Sequence, residues 1–442
     1  MADDDPLLSV RDLELHYPVT EGLLRREVGR VRAVDGVGFD VRAGESFGLV
    51  GESGCGKSST ALSILRIEEP TGGQVRFDGE DVFEFDDEEL RRYRRRVQLV
   101  LQDPDSAFNP RMTVGEAVGE PLAVHGLDDD ERRREVVEDT LERVGLSAAA
   151  ADGYPHEFSG GEKQRIAIAR ALVLNPDVIL ADEPVSALDG RTKTDVLELL
   201  DDLQREFGIA VVLISHDIDL VRRFCDRVAV MYLGEIVERG PTRSVVGDPR
   251  HPYTRTLVAS VPSLDPSAPA DAAGVEFLTD EMPDATDVPS GCRFHPRCPS
   301  IIPPNDVELP AEQWRGVVAF RFRLEEEWPD AETLRAALRE ELPPAHRNGA
   351  DIEEAVRSGF DLPAELPDEA VEAAVATAID ALEDGGVEAA RQPLAEAVTS
   401  VCEREAPTPA DADAPHPVAC HRYDPSKPGT EPDQRDAGTA DR

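Results

Sequence analysis

Gly51-Glu52-Ser53-Gly54-Cys55-Gly56-Lys57-Ser58 fits the pattern G-x-x-x-x-G-K-[ST] without a gap, and this stretch decides the fold. A β-rich run, Glu45–Val50, leads into it, and an amphipathic stretch, Ser58–Leu65, leaves it. A glycine-rich turn between strand and helix aims backbone N–H groups and the positive helix end at one point, which suits a polyphosphate. Lys57 is positioned to reach the terminal phosphates and the Ser58 hydroxyl to ligate Mg²⁺. Ser53, Gly54, Cys55, Gly56 and Ser59 complete the cradle. The alternative, a turn with no ligand, leaves the Lys-Ser pair in register at its end unexplained.

Working outward, Val178-Ile179-Leu180-Ala181 is an apolar run that ends in Asp182-Glu183. A carboxylate at the end of such a strand lies beside the metal, and the next one points at the γ-phosphate as a general base for water. His216 closes the run Ala210–Ser215. Alone it would read as a core histidine; beyond a complete acidic pair it reads as the group that keeps base and γ-phosphate in line. Gln102, in Leu101-Gln102-Asp103-Pro104, is a candidate for contact with both metal and water. Tyr17, in Leu15-His16-Tyr17-Pro18, is a candidate to stack on a base, against the plainer reading of packing. Ser159-Gly160-Gly161-Glu162 and Ser186-Ala187-Leu188-Asp189 complete the set, and Asp189 can also be read as a helix cap.

The arrangement around these motifs predicts an α/β unit over about residues 7–262, with a parallel-sheet core. Val178–Asp182 and Ala210–Ser215 read as strands; Glu131–Val144 and Gly161–Leu174 read as helices. Arg227–Gly240 alternates like a hairpin turning near Gly234, and Val221–Arg227 reads as helical around Cys225. Residues 263–290 are rich in Pro, Ala, Asp and Ser and read as a linker. Residues 291–423 carry cysteines and a long insertion, 299–401, with helical stretches at Ala331–Glu341 and Asp368–Leu382. Residues 424–442 read as a disordered tail.

Charge bounds the function. Ninety acidic residues face 47 basic ones, for a net charge of −43 over 442 residues. Basic residues are nearly all Arg, since Lys57, Lys163, Lys193 and Lys427 are the only lysines. Such a balance argues against nucleic acid as a partner, because no basic stripe exists to neutralise phosphates. No stretch approaches the ~20 apolar residues that cross a bilayer. Met1–Asp5 is acidic with no hydrophobic run behind it, which predicts no N-terminal signal. Six cysteines in such a chain read as ligands or buried thiols rather than disulfides. Cys55 and Cys225 are expected to be structural.

The six motifs in this order resemble the nucleotide-binding subunit of an ABC transporter. The resemblance implies a P-loop nucleotide-binding domain with an antiparallel β subdomain and a helical subdomain, followed by the C-terminal cysteine extension. It also implies ATP and Mg²⁺ as ligands and a head-to-tail ATPase dimer. In that dimer Ser159, Gly160, Gly161 and Glu162 address the ATP of the opposite subunit, which Asp189 also faces. Many relatives carry Gln where this chain has Glu162. The composition is similar to that of proteins from salt-loving archaea.

The flanks narrow the resemblance. Tyr154-Pro155-His156-Glu157-Phe158, Asn109-Pro110-Arg111-Met112-Thr113-Val114, His251-Pro252-Tyr253-Thr254 and Ala33-Val34-Asp35-Gly36 are similar to the ATP-binding subunits of dipeptide and oligopeptide (and nickel) importers. The Asn-Pro-Arg-Met version and the insertion Gly22–Arg30 resemble the second of two ATPase paralogues. Implied partners are two transmembrane permeases, a second ABC ATPase (a paralogue or a copy) and an extracellular solute-binding protein. The implied location is peripheral, on the cytoplasmic face of the membrane. Nickel and sugars are alternative solutes. A soluble ABC ATPase acting on ribosomes or DNA repair is the rival class, against which stand the single cassette and the absence of heptads. An exporter fits less well, because such cassettes are commonly fused to membrane spans.

Pro289-Ser290-Gly291-Cys292-Arg293-Phe294-His295-Pro296-Arg297-Cys298 and Val418-Ala419-Cys420-His421 are similar to the cysteine segment of the same family, with Cys402 between them. The resemblance implies a [4Fe-4S] cluster on Cys292, Cys298, Cys402 and Cys420. Zinc and unligated thiols remain open for the same four residues.

Overall fold

The computed structural model describes residues 5–22, 26–260, 282–326, 352–384, 386–409, 416–424 and 426. Ala331–Glu341, most of the linker and nearly all of the tail lie outside the described residues. The chain divides into two compact units, Met1–Arg250 with Asp413–Pro417, and His251–Ala412 with Val418–Arg442.

In the first unit, β1 (Leu8–Glu21) and β2 (Arg26–Val41) form a long antiparallel pair. With β4 (Gly72–Phe77) and β5 (Glu80–Asp81) they make a four-stranded antiparallel sheet of order β2-β1-β4-β5. The second sheet holds β3 (Ser46–Val50), β6 (Val97–Val100), β7 (Val178–Asp182), β8 (Ala210–Ser215), β9 (Arg227–Tyr232) and β10 (Glu235–Pro241). Its order is β10-β9-β3-β8-β7-β6. All pairings among β3, β6, β7, β8 and β9 are parallel; β10 folds back antiparallel on β9. Every residue of β3, β7 and β8 is buried, as covered parallel strands require. The expected hairpin at Gly234 is present, with Gly234 at φ 85°.

Helix α1 (Lys57–Ile64) leaves β3 toward β4, while α5 (Gly160–Leu172), α6 (Gly190–Phe207) and α7 (Ile218–Phe224) lead into β7, β8 and β9. α2 (Asp87–Arg96) links the antiparallel sheet to β6. α3 (Val114–Val124) and α4 (Asp130–Arg143) pack on each other and on α5, forming the helical subdomain. α8 (Thr242–Gly247) follows β10. The helical reading of Val221–Arg227 is corrected: α7 ends at Phe224 and Arg227 already opens β9. The cause is Asp226, whose carboxylate accepts Ser46 N–H at 3.0 Å and Ser46 Oγ–H at 2.8 Å, drawing the chain into the sheet.

The second unit contains α9 (Pro252–Ala259), Cys292, Cys298 and α10 (Ala311–Glu326). α11 (Ile352–Gly359), α12 (Glu369–Glu383), α13 (Val387–Ala397) and α14 (Val401–Arg404) follow. α12 and α13 pack side by side, and α10 lies against α13. Trp314, Val317, Val318 and Phe320 of α10 are buried, so the insertion has an apolar core of its own.

Candidate nucleotide site

Parallel register brings Val50 opposite Ser215, and Asp182 opposite Ile214. The C-terminal ends of β3, β7 and β8 therefore meet along one crevice, the usual ligand position in such sheets. The glycine-rich loop leaves β3 there. Its glycines are obligatory. A Cβ on Gly51 would lie 2.1 Å from Met231 O, and one on Gly56, at φ 105°, would lie 1.9 Å from Ala33 O. Lys57 Nζ donates to Gly51 O at 2.8 Å and Glu52 O at 2.9 Å, curling the loop around its own ammonium. Ser53, Gly54 and Ser59 lie in the same loop and first turn. Cys55 is buried, and burial pushes its thiol up.

At the end of β7, burial raises the Asp182 carboxyl, although the Ser58 hydroxyl donates to it. Oδ1 of Asp182 is buried with no hydrogen-bond partner. A buried oxygen left over beside a serine hydroxyl is a donor set that fits a hard cation such as Mg²⁺. Glu183 follows with a left-handed backbone, φ 45°, and its N–H donates to Ile214 O at 2.9 Å. For a non-glycine residue that conformation costs about 1–3 kcal/mol. One carboxylate oxygen of Glu183 accepts Gln102 Nε2–H at 2.9 Å; the other lies 3.0 Å from His216 Nδ1. Two residues distant in sequence, Gln102 and His216, thus converge on one carboxylate. Tyr17 is half-buried on β1 and packs against the core of the antiparallel sheet.

Ser159 caps α5 in a reciprocal box: its N–H and Oγ–H go to Glu162 Oε2 at 2.9 and 2.7 Å. This bonding holds the Glu162 carboxyl below its ordinary range. Gly161 is pressed on α6, where a Cβ would lie 2.3 Å from Thr192 Cγ2, and Gly160 faces Leu188. Asp189 caps α6 through Arg191 N–H and Thr192 N–H, and the Thr192 hydroxyl holds its carboxyl low. Lys163 Nζ on α5 lies 2.6 Å from Asp105 Oδ1, three residues past Gln102. Lys163 and Asp105 carry no motif, and the sequence reading did not single out their pairing.

In the second unit Cys292, Cys298, Cys402 and Cys420 line one pocket with His295 and His421. Burial raises all three buried thiols, Cys298 far above the ordinary range and Cys420 to about 12. Four thiols around one space fit a thiolate-held group in kind. Among the described residues no three His, Cys, Asp or Glu converge closely enough to hold a single metal ion.

The glycine-rich loop, the acidic pair and the convergence on Glu183 define a phosphate-loop ATPase of the ATP-binding cassette class. The family model "ABC transporter" matches residues 34–186, and "Oligopeptide/dipeptide transporter, C-terminal region" matches 237–303. A domain of unknown function matches 311–415. The oligopeptide transport ATP-binding protein of Bacillus subtilis (strain 168) is 44% identical over 310 residues, 70% of this chain and 94% of its own. A probable peptide ABC transporter ATP-binding protein of Sinorhizobium fredii is 46% identical over 69% of this chain and 86% of its own. The glutathione import ATP-binding protein of Shigella boydii is 48% identical over 64% of this chain and 45% of its own. The chain belongs to the ABC transporter ATP-binding proteins, in the oligopeptide/dipeptide transporter branch. It is accordingly an ATP-hydrolysing subunit of the kind that works with transmembrane permeases. Among the described residues no helix is long and apolar enough to cross a membrane.

Proposed function

We propose that this chain energises uptake of dipeptides or oligopeptides by hydrolysing ATP on the cytoplasmic face of two permeases. A second ABC ATPase, a paralogue by resemblance, would pair with it head to tail, and an extracellular binding protein would deliver the solute. The observation that carries the reading is the convergence of Gln102 and His216 on the Glu183 carboxylate beside the phosphate loop. The relatives named for oligopeptide, peptide and glutathione import favour a peptide cargo over nickel or sugar.

In the reaction, loop N–H groups from Gly51 to Ser59 and the Lys57 ammonium bind the β- and γ-phosphates. Glu183 accepts a proton from the attacking water, held in place by Gln102 and His216. Tyr17 stacks on the adenine. Ser58, Asp182 and Gln102 would hold Mg²⁺, which when bound offsets charge on the phosphates. Ser159, Gly160 and Gly161 at the start of α5 address the partner's γ-phosphate, with Asp189 and Glu162 at the same dimer face. Cys292, Cys298, Cys402 and Cys420 would hold a [4Fe-4S] cluster, supported by their shared pocket. The acid-rich, lysine-poor surface fits work in concentrated salt.

Affinity purification from detergent-solubilised membranes at high salt, with mass spectrometry of the co-purified chains, tests the assembly. Two permeases, a second ATPase and a binding protein are expected. Recovery of soluble partners alone would overturn the transport role.

A further inference from the structure

Cys402 does not reach the cysteine pocket as part of a simple loop; the insertion holds it there. Its carbonyl accepts Cys292 N–H at 2.7 Å, and Ser290 Oγ–H donates to Glu403 O at 2.8 Å. Gly291, at φ 68°, leaves room for this crossing: a Cβ there would lie 2.4 Å from Cys402 O. On the other side, Ser400 Oγ accepts Cys402 N–H at 3.1 Å, while Ser400 N–H donates to Glu403 Oε1 at 2.7 Å. The turn that carries Cys402 is thus built on the carboxylate of Glu403.

That carboxylate is buried and faces Arg321 of α10, whose Nη1 donates to Glu403 Oε1 at 3.2 Å while Nη2 donates to Oε2. Arg321 is buried too, and the same Nη1 donates to Val398 O at 3.2 Å, just ahead of the turn. A planar, two-pronged guanidinium on a carboxylate fixes position and angle together, which a lysine does not. α10 is itself seated by Trp314, whose Nε1–H donates to Ile301 O at 2.9 Å, three residues past Cys298. One helix of the insertion therefore touches both the Cys298 arm and the Cys402 arm of the pocket.

We infer that α10, in the insertion 299–401, is the scaffold of the cysteine site, and that Arg321 is a positioning residue that locks Cys402 into the pocket through Glu403. The inference rests on the reading of the four cysteines as one ligand set.

The test uses the full chain, purified without oxygen. Two quantities are measured in native protein: the alkylation rate of each cysteine, mapped by mass spectrometry, and bound iron with acid-labile sulfide. The variants are Arg321→Lys, Arg321→Leu and the double variant Arg321→Met/Glu403→Gln, which leaves no lone buried charge if the single one fails to fold. In the leucine and double variants Cys402 should label faster by roughly ten-fold or more, because labelling of a protected thiol follows local opening. Cys55 and Cys225 should keep their wild-type rates, and Arg321→Lys should recover part of the protection. Iron per chain should fall with the protection of Cys402. Unchanged Cys402 labelling in a folded double variant overturns the positioning role. Wild-type protein without iron, combined with faster Cys402 labelling in the variants, keeps the positioning role and sinks the cluster reading alone.

Discussion

Nδ1 of His216 stands 3.0 Å from Oε1 of Glu183, and the histidine comes from the loop after β8, the strand next to β7. Gln102 holds the second carboxylate oxygen, so the acid is fixed from two sides. The left-handed Glu183 backbone is anchored by its N–H on Ile214 O, which sets the direction of the side chain. Glu183→Gln should lower ATP turnover by about 10²–10⁴-fold, and His216→Ala by a comparable amount, since each removes a proton acceptor or its alignment. ATP affinity should stay near wild type. Phosphate release and titration with a fluorescent nucleotide measure the two; wild-type turnover in Glu183→Gln would refute its role as base.

The phosphate loop gives a second, steric prediction. Gly56→Ala forces a Cβ to 1.9 Å from Ala33 O at φ 105°, whereas Gly190→Ala adds its Cβ into open space at the first turn of α6. The first should lose nucleotide binding and destabilise the chain by roughly 2 kcal/mol or more. The second should leave thermal stability within about 0.5 kcal/mol or raise it. Equal unfolding midpoints for the two variants would contradict the contact with Ala33.

Much of the nucleotide site was legible because its chemistry is local. A glycine-rich turn with Lys-Ser, and an apolar run ending in Asp182-Glu183, each specify backbone and function within a few residues. The strands Val178–Asp182 and Ala210–Ser215 were equally plain, since apolar runs of that length belong to covered parallel strands. What the residues alone did not give was the long-range geometry, although the family resemblance already grouped Cys402 with Cys292. Glu183 meeting Gln102 depends on β6 lying beside β7, and Cys402 meeting Cys292 depends on α10 and Arg321 across the insertion. Cys225 misled for the same reason: its helical surroundings end because Asp226 is captured by Ser46, 180 residues earlier. Patterns along a chain carry no record of such partners.

Asp368 caps α12, accepting Ala370 N–H at 3.0 Å and Val371 N–H at 3.1 Å, and it also accepts Glu308 N–H at 3.0 Å. These backbone donors, Glu308 first, hold its carboxyl below the ordinary range. A depressed acid stabilises the fold above its unfolded value of about 3.9, and that contribution disappears as pH falls through the lower folded value. Asp368→Ala should cost about 1 kcal/mol near neutrality, and the gap from wild type should narrow as pH falls through the lowered folded value. Denaturant titrations at neutral and acid pH measure this; a constant gap would remove the charge from the explanation.

His416 Nε2 lies 2.6 Å from Glu238 Oε1 with 5% and 0% of the two side chains exposed, although 178 residues separate them. Arg250 joins the pair, its N–H donating to Glu238 Oε1 at 2.8 Å and its Nη1–H to His416 O at 3.1 Å. The late segment is thereby tied to β10, where Arg239 N–H also donates to Pro417 O at 3.2 Å. His416→Ala strips one partner from a buried carboxylate and should cost about 2–4 kcal/mol, tempered by the remaining Arg250 bond. Urea unfolding followed at Trp and Tyr fluorescence reads it. A loss below about 0.5 kcal/mol would mean that the segment leaves β10 at little cost.

The excess of 43 negative charges pulls stability in two directions as salt rises. Exposed pairs such as Arg132–Glu135 and Arg134–Glu138 weaken when screened, but each is worth only about 0–1 kcal/mol. Mutual repulsion among the unpaired acids acts over the whole surface in dilute buffer, where the Debye length is ~10 Å, and nearly vanishes at 1 M, where it is ~3 Å. Repulsion involves many more pairs than attraction at this charge, so relief of repulsion should win. The unfolding midpoint should therefore climb between about 0.1 and 1 M KCl and keep climbing more slowly above it, once screening is complete. Scanning calorimetry in KCl, beside sucrose at matched osmolality to separate screening from general exclusion, measures the effect. A midpoint as high in dilute buffer as in concentrated KCl would show that the acidic surface is not an adaptation to salt, and the reading of the composition would fall with it.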